Sequence, residues 1–322
     1  MISAGVRALL GALILSVSTA AVAQTYPDRP VRIVLPFGAG GVADITARIT
    51  AEALGNELRQ RFIIENMPGA GGIAAARAVT SSQPDGYTLA MLTNGTAISV
   101  PLFKALPFNP EKDFTPISSL GYFDFVVATN ATSTYKSVAD IVKYAKENPG
   151  KLNVGTINVG SSQNLSAELL KTSAGIDFTI VPFRGSPEVV VALLRDDVQM
   201  MIDNYVAIRP NLIDKKLLAI ATTGTTRSPV LPDVPTVEQD GVKDYDVVSW
   251  NALFAPAGTP PAVIEKLNAA LQKVLVDPTV KRKMLDLGIE AKASTPQEIA
   301  ARLKSDIEKW GKVIERANIP KQ

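Results

Sequence analysis

A glycine-rich turn that joins an apolar segment to a helix-like segment constrains this chain more than any other feature. Residues 32–44 read RIVLPFGAGGVAD. Short apolar runs before glycine are typical of buried strands in a parallel sheet. A helix that begins directly after such a turn points backbone N–H groups and the positive end of its dipole at whatever lies in front of it. The segment therefore predicts a strand–turn–helix unit that can bind an anion without a basic side chain.

The same arrangement occurs twice more along the chain. Residues 68–74 read PGAGGIA after a predicted strand, and residues 160–164 read GSSQN after another. The third segment offers hydroxyl and amide groups as well as backbone N–H groups. Two alternatives remain open, since the glycines can simply make tight turns and Ser161 or Ser162 can simply cap a helix. Three such units nevertheless suggest the capture of a small acid.

Composition excludes several function classes. The 322 residues include no cysteine and no histidine, which removes disulfides, thiol nucleophiles, Ser-His-Asp triads and histidine-ligated zinc. The 33 Lys and Arg residues nearly balance the 31 Asp and Glu residues. Because these charges are scattered, we expect no nucleic-acid partner. Glu65, Glu168 and Asp203 form no recognisable catalytic pair or metal-binding loop, so we expect neither an enzyme nor a metal site.

The first residues resemble a secretory signal. Arg7 supplies a positive start, residues 8–17 form a short apolar core, and Ala21-Val22-Ala23 matches a cleavage site. The core is too short to span a bilayer, which argues against the alternative of an uncleaved anchor. No later stretch is long and apolar enough to cross a membrane. We therefore predict a signal peptide at residues 1–23 and a soluble periplasmic protein.

Strand-like and helix-like segments alternate along the mature chain, which predicts an α/β fold with parallel sheets and right-handed crossovers. The predicted strands are 31–36, 62–65, 87–93, 152–157, 178–182, 198–202, 217–222 and 247–255. The predicted helices are 42–59, 72–80, 137–148, 162–173 and 187–195, followed by a helical C-terminal part with a capping box at Thr295. Residues 114–129 are extended without an intervening helix, so we interpret them as a connection between two lobes.

The expected architecture is two α/β lobes joined by two crossing segments, with the C-terminal tail packed on the first lobe. Lobe I comprises residues 24–123 and 249–322, and lobe II comprises residues 124–248. Carboxyl ends of strands and N-termini of helices meet in the cleft between such lobes, where open α/β sheets bind ligands.

A dinucleotide-binding oxidoreductase is the sharpest alternative. The letters GAGGVA at residues 38–43 match the G-x-G-x-x-A fingerprint, and Glu65 stands near the expected position of a ribose-binding acid. Pro36 and Phe37 intrude where that fingerprint expects a plain strand end, and export argues against a nicotinamide enzyme. No glycine motif continues into GK[ST], which excludes a P-loop. We expect no cofactor.

Two charged residues are candidates for further ligand contacts. Arg184 follows the predicted strand 178–182 and can place a cation on a second carboxylate, although a solvated surface arginine fits equally well. Asp203 ends the strand 198–202 and can accept a hydrogen bond from an ammonium or hydroxyl group, or cap a helix. Tyr122, Tyr205 and Trp250 are interpreted as hinge or core packing.

Several segments together resemble the Bug family, the solute receptors of tripartite tricarboxylate transporters. These are YPDRP at 26–30, PFGAGG at 36–41 with Asp44, ENMPGAGG at 65–72, PDGYT at 84–88, LPDVPT at 231–236 and APAGTP at 255–260. The resemblance covers nearly the whole mature chain, and the combination is far more specific than any single motif. It implies a type II periplasmic-binding-protein fold with a ligand cleft between the lobes.

The resemblance also implies the binding residues. A ligand carboxylate is expected between two opposing loops, with Arg184 and Asp203 at positions where the family varies its specificity. The loop residues are Phe37, Gly38, Ala39, Gly40 and Asp44 in lobe I, and Ser161, Ser162, Gln163 and Asn164 in lobe II. Close backbone approach is expected at Gly38. The family often has histidine at position 164 and lysine at 184. As departures from it, Asn164 should make binding depend less on pH near neutrality, and Arg184 suits a planar, bidentate acid better than lysine would.

The expected function is an extracytoplasmic solute-binding protein, a monomer that captures a small carboxylate by lobe closure and delivers it to integral membrane transporter subunits. A sensory carboxylate-binding partner of a membrane kinase remains an alternative. Dicarboxylates, tricarboxylates, amino acids and aromatic carboxylates all stay open as ligands.

Overall fold

The computed structural model describes residues 26–322, and the predicted signal peptide lies outside this range. The strands are β1 (Val31–Leu35), β2 (Phe62–Asn66), β3 (Thr88–Thr93), β4 (Phe114–Asn130), β5 (Asn153–Ile157), β6 (Thr179–Phe183), β7 (Met200–Asn204), β8 (Leu217–Thr222), β9 (Val248–Pro256) and β10 (Glu290–Ala291). The helices are α1 (Val42–Leu58), α2 (Ile73–Thr80), α3 (Asn94–Leu102), α4 (Val138–Glu147), α5 (Ser162–Ala174), α6 (Ser186–Leu194), α7 (Tyr205–Ile213), α8 (Pro261–Val274), α9 (Pro278–Leu285) and α10 (Pro296–Arg316). Within residues 26–322, no helix has both the length and the apolar character needed to span a bilayer.

Two parallel three-stranded units lie at the two ends of one continuous path of strands. The order along this path is β2-β1-β3-β9-β4-β7-β5-β6. Strands β1, β2 and β3 pair in parallel, as do β5, β6 and β7, whereas β9 and β4 pair antiparallel to their neighbours. This arrangement confirms the expected α/β fold class, because each parallel unit is built by helical crossovers.

Strand β4 carries the chain from one unit to the other. Its residues up to Asp124 pair with β9, and its residues from Phe125 onward pair with β7 and β8. The strand is 17 residues long without a break, which confirms the prediction of an extended stretch with no helix. The pairing changes close to the predicted lobe boundary, and we keep the names lobe I and lobe II for the predicted ranges.

Two helices were missed by the sequence analysis. Helix α3 begins at the residue after β3, and α7 begins at the residue after β7. Thr93 ends β3 and also caps α3, since its Oγ1 accepts a hydrogen bond from Gly95 N at 3.1 Å. Thr96 completes a capping box that usually contains Glu or Gln. No turn residues separate strand from helix at either place, so the usual signals are absent.

The C-terminal helix α10 fixes one of the crossing strands and the start of α3. Trp250 Nε1 on β9 donates to Asp306 Oδ2 at 2.6 Å, and Trp310 Nε1 donates to Asn94 Oδ1 at 2.8 Å. Both tryptophans are at most 1% exposed. The largest apolar cluster extends from Val34 in β1 through Trp250 to Leu165 in α5. Packing therefore connects the two lobes behind the cleft.

Asp124 lies where β4 passes from lobe I to lobe II, and its carboxyl makes the stability of the fold depend on pH. It is opposite Val248 in β9, and burial raises the pKa of its carboxyl to about 6, above its ordinary value of 3.8. The folded protein thus binds the proton more tightly than the unfolded chain does. The stability contributed by the neutral carboxyl is present below the unfolded pKa and is lost as the pH rises through about 6.

We expect the unfolding free energy of the wild type to fall between about pH 4 and pH 7, because Asp124 ionises in this range. In Asp124→Asn, this fall should be smaller by on the order of 2 kcal/mol. Urea denaturation at both pH values measures this. Asp233→Asn, at an exposed position, is the matched control and should follow the wild type. Equal pH slopes for Asp124→Asn and the wild type would contradict the assignment.

Candidate ligand-binding cleft

A cleft with a volume of about 360 Å³ lies between the predicted lobes. Residues of lobe I and lobe II both contribute to its walls. The lining residues are Phe37, Gly41, Val42, Ala43, Thr93, Gly95, Phe123, Ser249 and Asn251 from lobe I, and Phe125, Ile157, Gly160, Ser161, Ser162, Gln163 and Asn204 from lobe II. None of these lining residues, all within the range 26–322, carries a charged side chain.

The cleft is lined by the N-termini of four helices. Helix α1 contributes its first turn from Gly41, α3 its start at Thr93, α5 its start at Ser161, and α7 its capping residue Asn204. The first N–H groups of a helix have no partner within the helix, and each N-terminus carries the equivalent of about half a positive charge. The helix N-termini therefore contribute a positive potential to the cleft without any basic side chain in its lining.

The lobe I loop is held in shape by Asp44. Gly40 lies in the left-handed region with φ of 88°, and its N–H donates to Asp44 Oδ2 at 2.9 Å. Asn66 Nδ2 donates to Asp44 Oδ1 at 2.9 Å, and Arg48 Nε donates to Oδ2 at 2.9 Å. The Arg48 hydrogen bond, followed by those from Gly40 and Asn66, outweighs burial and lowers the pKa of Asp44 to about 2. Asp44 therefore stays ionised and orders the loop.

Asn164 holds the lobe II loop in shape in the same way. Gly160 has φ of 80°, and its N–H donates to Asn164 Oδ1 at 3.1 Å. Asn164 Nδ2 donates to Thr156 Oγ1 at 3.4 Å, and Asn164 N donates to Ser161 Oγ at 3.1 Å. In both lobes, the third residue of a helix accepts the N–H of a left-handed glycine four residues earlier. The carboxamide of Asn164 is thus turned to its own loop.

The structure places the predicted site residues in three groups. Phe37, Ser161, Ser162 and Gln163 line the cleft. Gly38, Ala39, Gly40, Asp44 and Asn164 belong to the loops but lie outside the lining. Arg184 is exposed between β6 and α6, and Asp203 is fully buried. Contacts of these residues with a ligand stay a prediction.

Asp203 lies behind the cleft wall rather than in it. Its Oδ1 accepts hydrogen bonds from Gln163 Nε2 at 3.1 Å and from Asn204 N at 2.7 Å. Burial raises the pKa of this carboxyl, and Oδ2 has no hydrogen-bond partner among the described residues. The carboxyl of Asp203 therefore sits at the N-terminus of α7 and fixes the side-chain amide of Gln163.

Two glycines of the cleft loops differ in how closely the rest of the chain approaches them. A Cβ built on Gly38 meets no atom of the described chain within 4 Å, so the close backbone approach expected there, which concerns the ligand, stays a prediction. A Cβ built on Gly160 would clash with Leu102 Cδ2 in lobe I. The second glycine motif, at residues 68–74, lies outside the cleft lining, and its Gly71 and Gly72 adopt left-handed turns.

Asn94, which joins the lobes across the cleft, was not predicted from the sequence, whereas its partner Ser162 was. Asn94 Nδ2 in lobe I donates to Ser162 Oγ in lobe II at 2.9 Å, while Asn94 Oδ1 accepts from Trp310. Asn94 and Asn204 flank abrupt strand-to-helix junctions. A polar residue at the end of an apolar strand was the signal that could have found them. Phe123 and Phe125 had no such signal, because they lie inside one long apolar strand.

The glycine pair gives a matched prediction. We expect Gly160→Ala to weaken ligand binding and lower stability by at least about 1 kcal/mol, since the new Cβ meets Leu102 and the backbone is left-handed. Gly38→Ala should leave stability near wild type, because its Cβ meets no atom of the described chain. Denaturation measures the stabilities and calorimetry the binding, and equal stabilities of the two variants would contradict the geometry.

Asp44 gives a second prediction. Asp44→Ala leaves the Gly40, Asn66 and Arg48 donors without their acceptor, and should cost about 2 kcal/mol of unfolding free energy. Glu57→Ala removes the half-buried partner of the exposed Lys273 from the same helix and should cost less than about 1 kcal/mol. Denaturant unfolding compares the two, and a cost for Asp44→Ala no larger than for Glu57→Ala would show that the loop does not depend on Asp44.

Comparisons with known proteins agree with this geometry. The model of the tripartite tricarboxylate transporter family receptors (TctC) matches residues 46–319. The periplasmic binding protein BugD is 30% identical with a TM-score of 0.78, over 92% of this chain and 100% of that one. Rpa4515 of R. palustris, solved with adipate, is 32% identical with a TM-score of 0.81, over 92% and 99%. MatC of Rhodopseudomonas palustris, solved with malate, is 34% identical with a TM-score of 0.76, over 90% and 100%.

These matches confirm the two-lobe periplasmic-binding-protein fold and the resemblance to the Bug receptors. The family is one of solute receptors, so the oxidoreductase alternative has no support from it. By its sequence and its fold, this chain belongs to the tripartite tricarboxylate transporter receptor family of periplasmic solute-binding proteins.

Proposed function

We propose that this protein captures a small carboxylate in the cleft and delivers it to a membrane transporter of the tripartite tricarboxylate type. The observation that carries the proposal is the convergence of helix N-termini from both lobes on a cleft lined by uncharged side chains. Such a site attracts an anion and holds it through directional backbone hydrogen bonds. The adipate and malate bound by Rpa4515 and MatC support a carboxylate as ligand.

The N-termini of α1 and α5, which follow the two glycine loops, keep N–H groups available for a ligand. Helix α1 has no side-chain cap, and in α5 the Ser161 side chain accepts only from Asn164 N. The N–H groups of Val42 and Ala43 in lobe I and of Ser162 and Gln163 in lobe II therefore remain open. A carboxylate bound between these two pairs bridges lobe I and lobe II, which is how a ligand favours lobe closure.

The expected binding free energy of such a site is sufficient for micromolar affinity. Micromolar affinity needs about 8 kcal/mol. Hydrogen bonds to a charged group contribute about 1.5–3 kcal/mol each, and a helix N-terminus contributes up to about 2 kcal/mol in a partly buried geometry. Four hydrogen bonds and two helix dipoles exceed the requirement before the entropy of closure is subtracted. The site needs no side-chain cation.

Closure has a structural basis in the strands that connect the lobes. Strands β4 and β9 run side by side between them, and the Asn94–Ser162 hydrogen bond closes the gap at the cleft. The cleaved signal predicted at residues 1–23 would place the receptor outside the cytoplasm, where it acts as a monomer. The closed, loaded form is then the state that the membrane subunits recognise.

We expect carboxylates to raise the melting temperature, since a ligand specific to the native state stabilises it. A panel of benzoate, hexanoate, adipate and malate, each paired with its neutral amide, tests this by thermal shift. The account predicts stabilisation by one or more acids and by none of the amides. Equal stabilisation by an acid and its amide would contradict a site selective for anions.

Ser162→Ala should weaken binding of the best acid by about 0.5–1.5 kcal/mol, because it removes the acceptor of the Asn94 hydrogen bond that links the lobes. Ser305→Ala, on the exposed side of α10, is the control. Isothermal calorimetry on both variants provides the comparison. If Ser162→Ala binds as tightly as Ser305→Ala, the link between the lobes does not contribute to capture.

A further inference from the structure

We propose that the natural ligand is a monocarboxylate with an apolar body, such as an aromatic-ring or alkyl acid, and not a dicarboxylate or tricarboxylate. This inference rests on the proposed function and names its ligand class. It is carried by two observations. The walls of the cleft carry large apolar side chains from both lobes, and the lining holds no cation for a second carboxylate.

The apolar walls come from both lobes and from the strand that joins them. Phe37 belongs to the lobe I loop, Ile157 to the end of β5, and Phe123 and Phe125 to β4. The rings of Phe123 and Phe125 meet edge to face, with centroids 6.0 Å apart and planes at 79°. Val42 and Ala43 complete the apolar set. Such walls favour a flat ring or an alkyl chain, whose burial stabilises the complex.

The backbone donors of the two glycine loops hold one carboxylate. The N-terminus of α3 carries a capping box, in which Thr93 Oγ1 accepts from Gly95 N and Thr96 Oγ1 accepts from Thr93 N. The N-terminus of α7 has no side-chain cap, but the buried carboxyl of Asp203 lies against it and accepts from Asn204 N at 2.7 Å, which makes this end a poor place for a second carboxylate. The N-termini of α1 and α5, one in each lobe, are therefore assigned to the single carboxylate of the ligand.

The lining of the cleft contains no cation that could pair with a second carboxylate of the ligand. Arg48, on α1 behind the lobe I loop, donates to Asp44 and Asn66 and lies outside the lining. Arg184 is exposed and also lies outside it. Burying an ionised carboxylate without a partner costs several kcal/mol. A second acid group on the ligand would therefore lower the affinity.

Matched acid pairs test the inference by isothermal calorimetry at a pH where all acids are ionised. Benzoate and terephthalate share a ring, and hexanoate and adipate share a six-carbon chain. We expect each monocarboxylate that binds to bind at least about tenfold more tightly than its dicarboxylate partner. A dicarboxylate that binds as tightly as its partner, or more tightly, overturns the inference while the proposed function stands. Binding of no carboxylate in this set or among malate and citrate overturns the proposed function itself.

Variants at Phe37 provide a second readout, since this side chain is 38% exposed and its replacement leaves the core intact. Phe37→Ser should weaken the better monocarboxylate at least about fivefold, and Phe37→Leu should remain within about twofold of wild type. Val276→Ser, which is 61% exposed and outside the cleft, is the control. Phe37→Lys supplies a cation and should raise the affinity for the dicarboxylate relative to the affinity for the matched monocarboxylate. An unchanged monocarboxylate affinity in folded Phe37→Ser would overturn the role of the apolar wall.

Discussion

The cleft depends on one hydrogen bond that is made once in each lobe. A glycine in the left-handed region donates its N–H to the side chain four residues later, Asp44 Oδ2 in lobe I and Asn164 Oδ1 in lobe II. The hydrogen bond fixes the backbone conformation of the turn between strand and helix, so the N–H groups that follow are already ordered before the ligand binds. Preorganised donors of this kind bind an anion without a reorganisation cost. The carboxylate of Asp44 also accepts from Arg48 and Asn66, which keeps its negative charge directed away from the cleft.

The remaining architecture sets the relation between the two loops. Strands β4 and β9 connect the lobes, and α10 holds β9 through Asp306 and the start of α3 through Trp310. Asn94 of lobe I then donates a hydrogen bond to Ser162 of lobe II. A small number of polar groups thus connects the tail helix, the crossing strand and both cleft walls. The apolar side chains of Phe123 and Phe125 lie at the same crossing, so the connecting strand also shapes the ligand site.

The fold was largely predictable because strand and helix periods are separated by glycine and proline turns over most of the chain. Helices α3 and α7 escaped because Thr93–Asn94 and Asn204–Tyr205 join strand to helix with no turn between them. In the site, the loops at Phe37 and Ser161 were found from their motifs. The direction of the Asp44 and Asn164 side chains was not, since sequence spacing places a residue in a first helical turn but does not say whether its side chain faces a ligand or its own loop.

The central claim is that open N–H groups of α1 and α5 hold the ligand carboxylate together. Amide nitrogen–proton NMR during a titration with benzoate tests this most directly. The account predicts that the signals of Val42, Ala43, Ser162 and Gln163 shift together and saturate at one ligand concentration, because the same carboxylate accepts from both loops. Signals of these four amides that stay fixed while other amides shift would contradict the account.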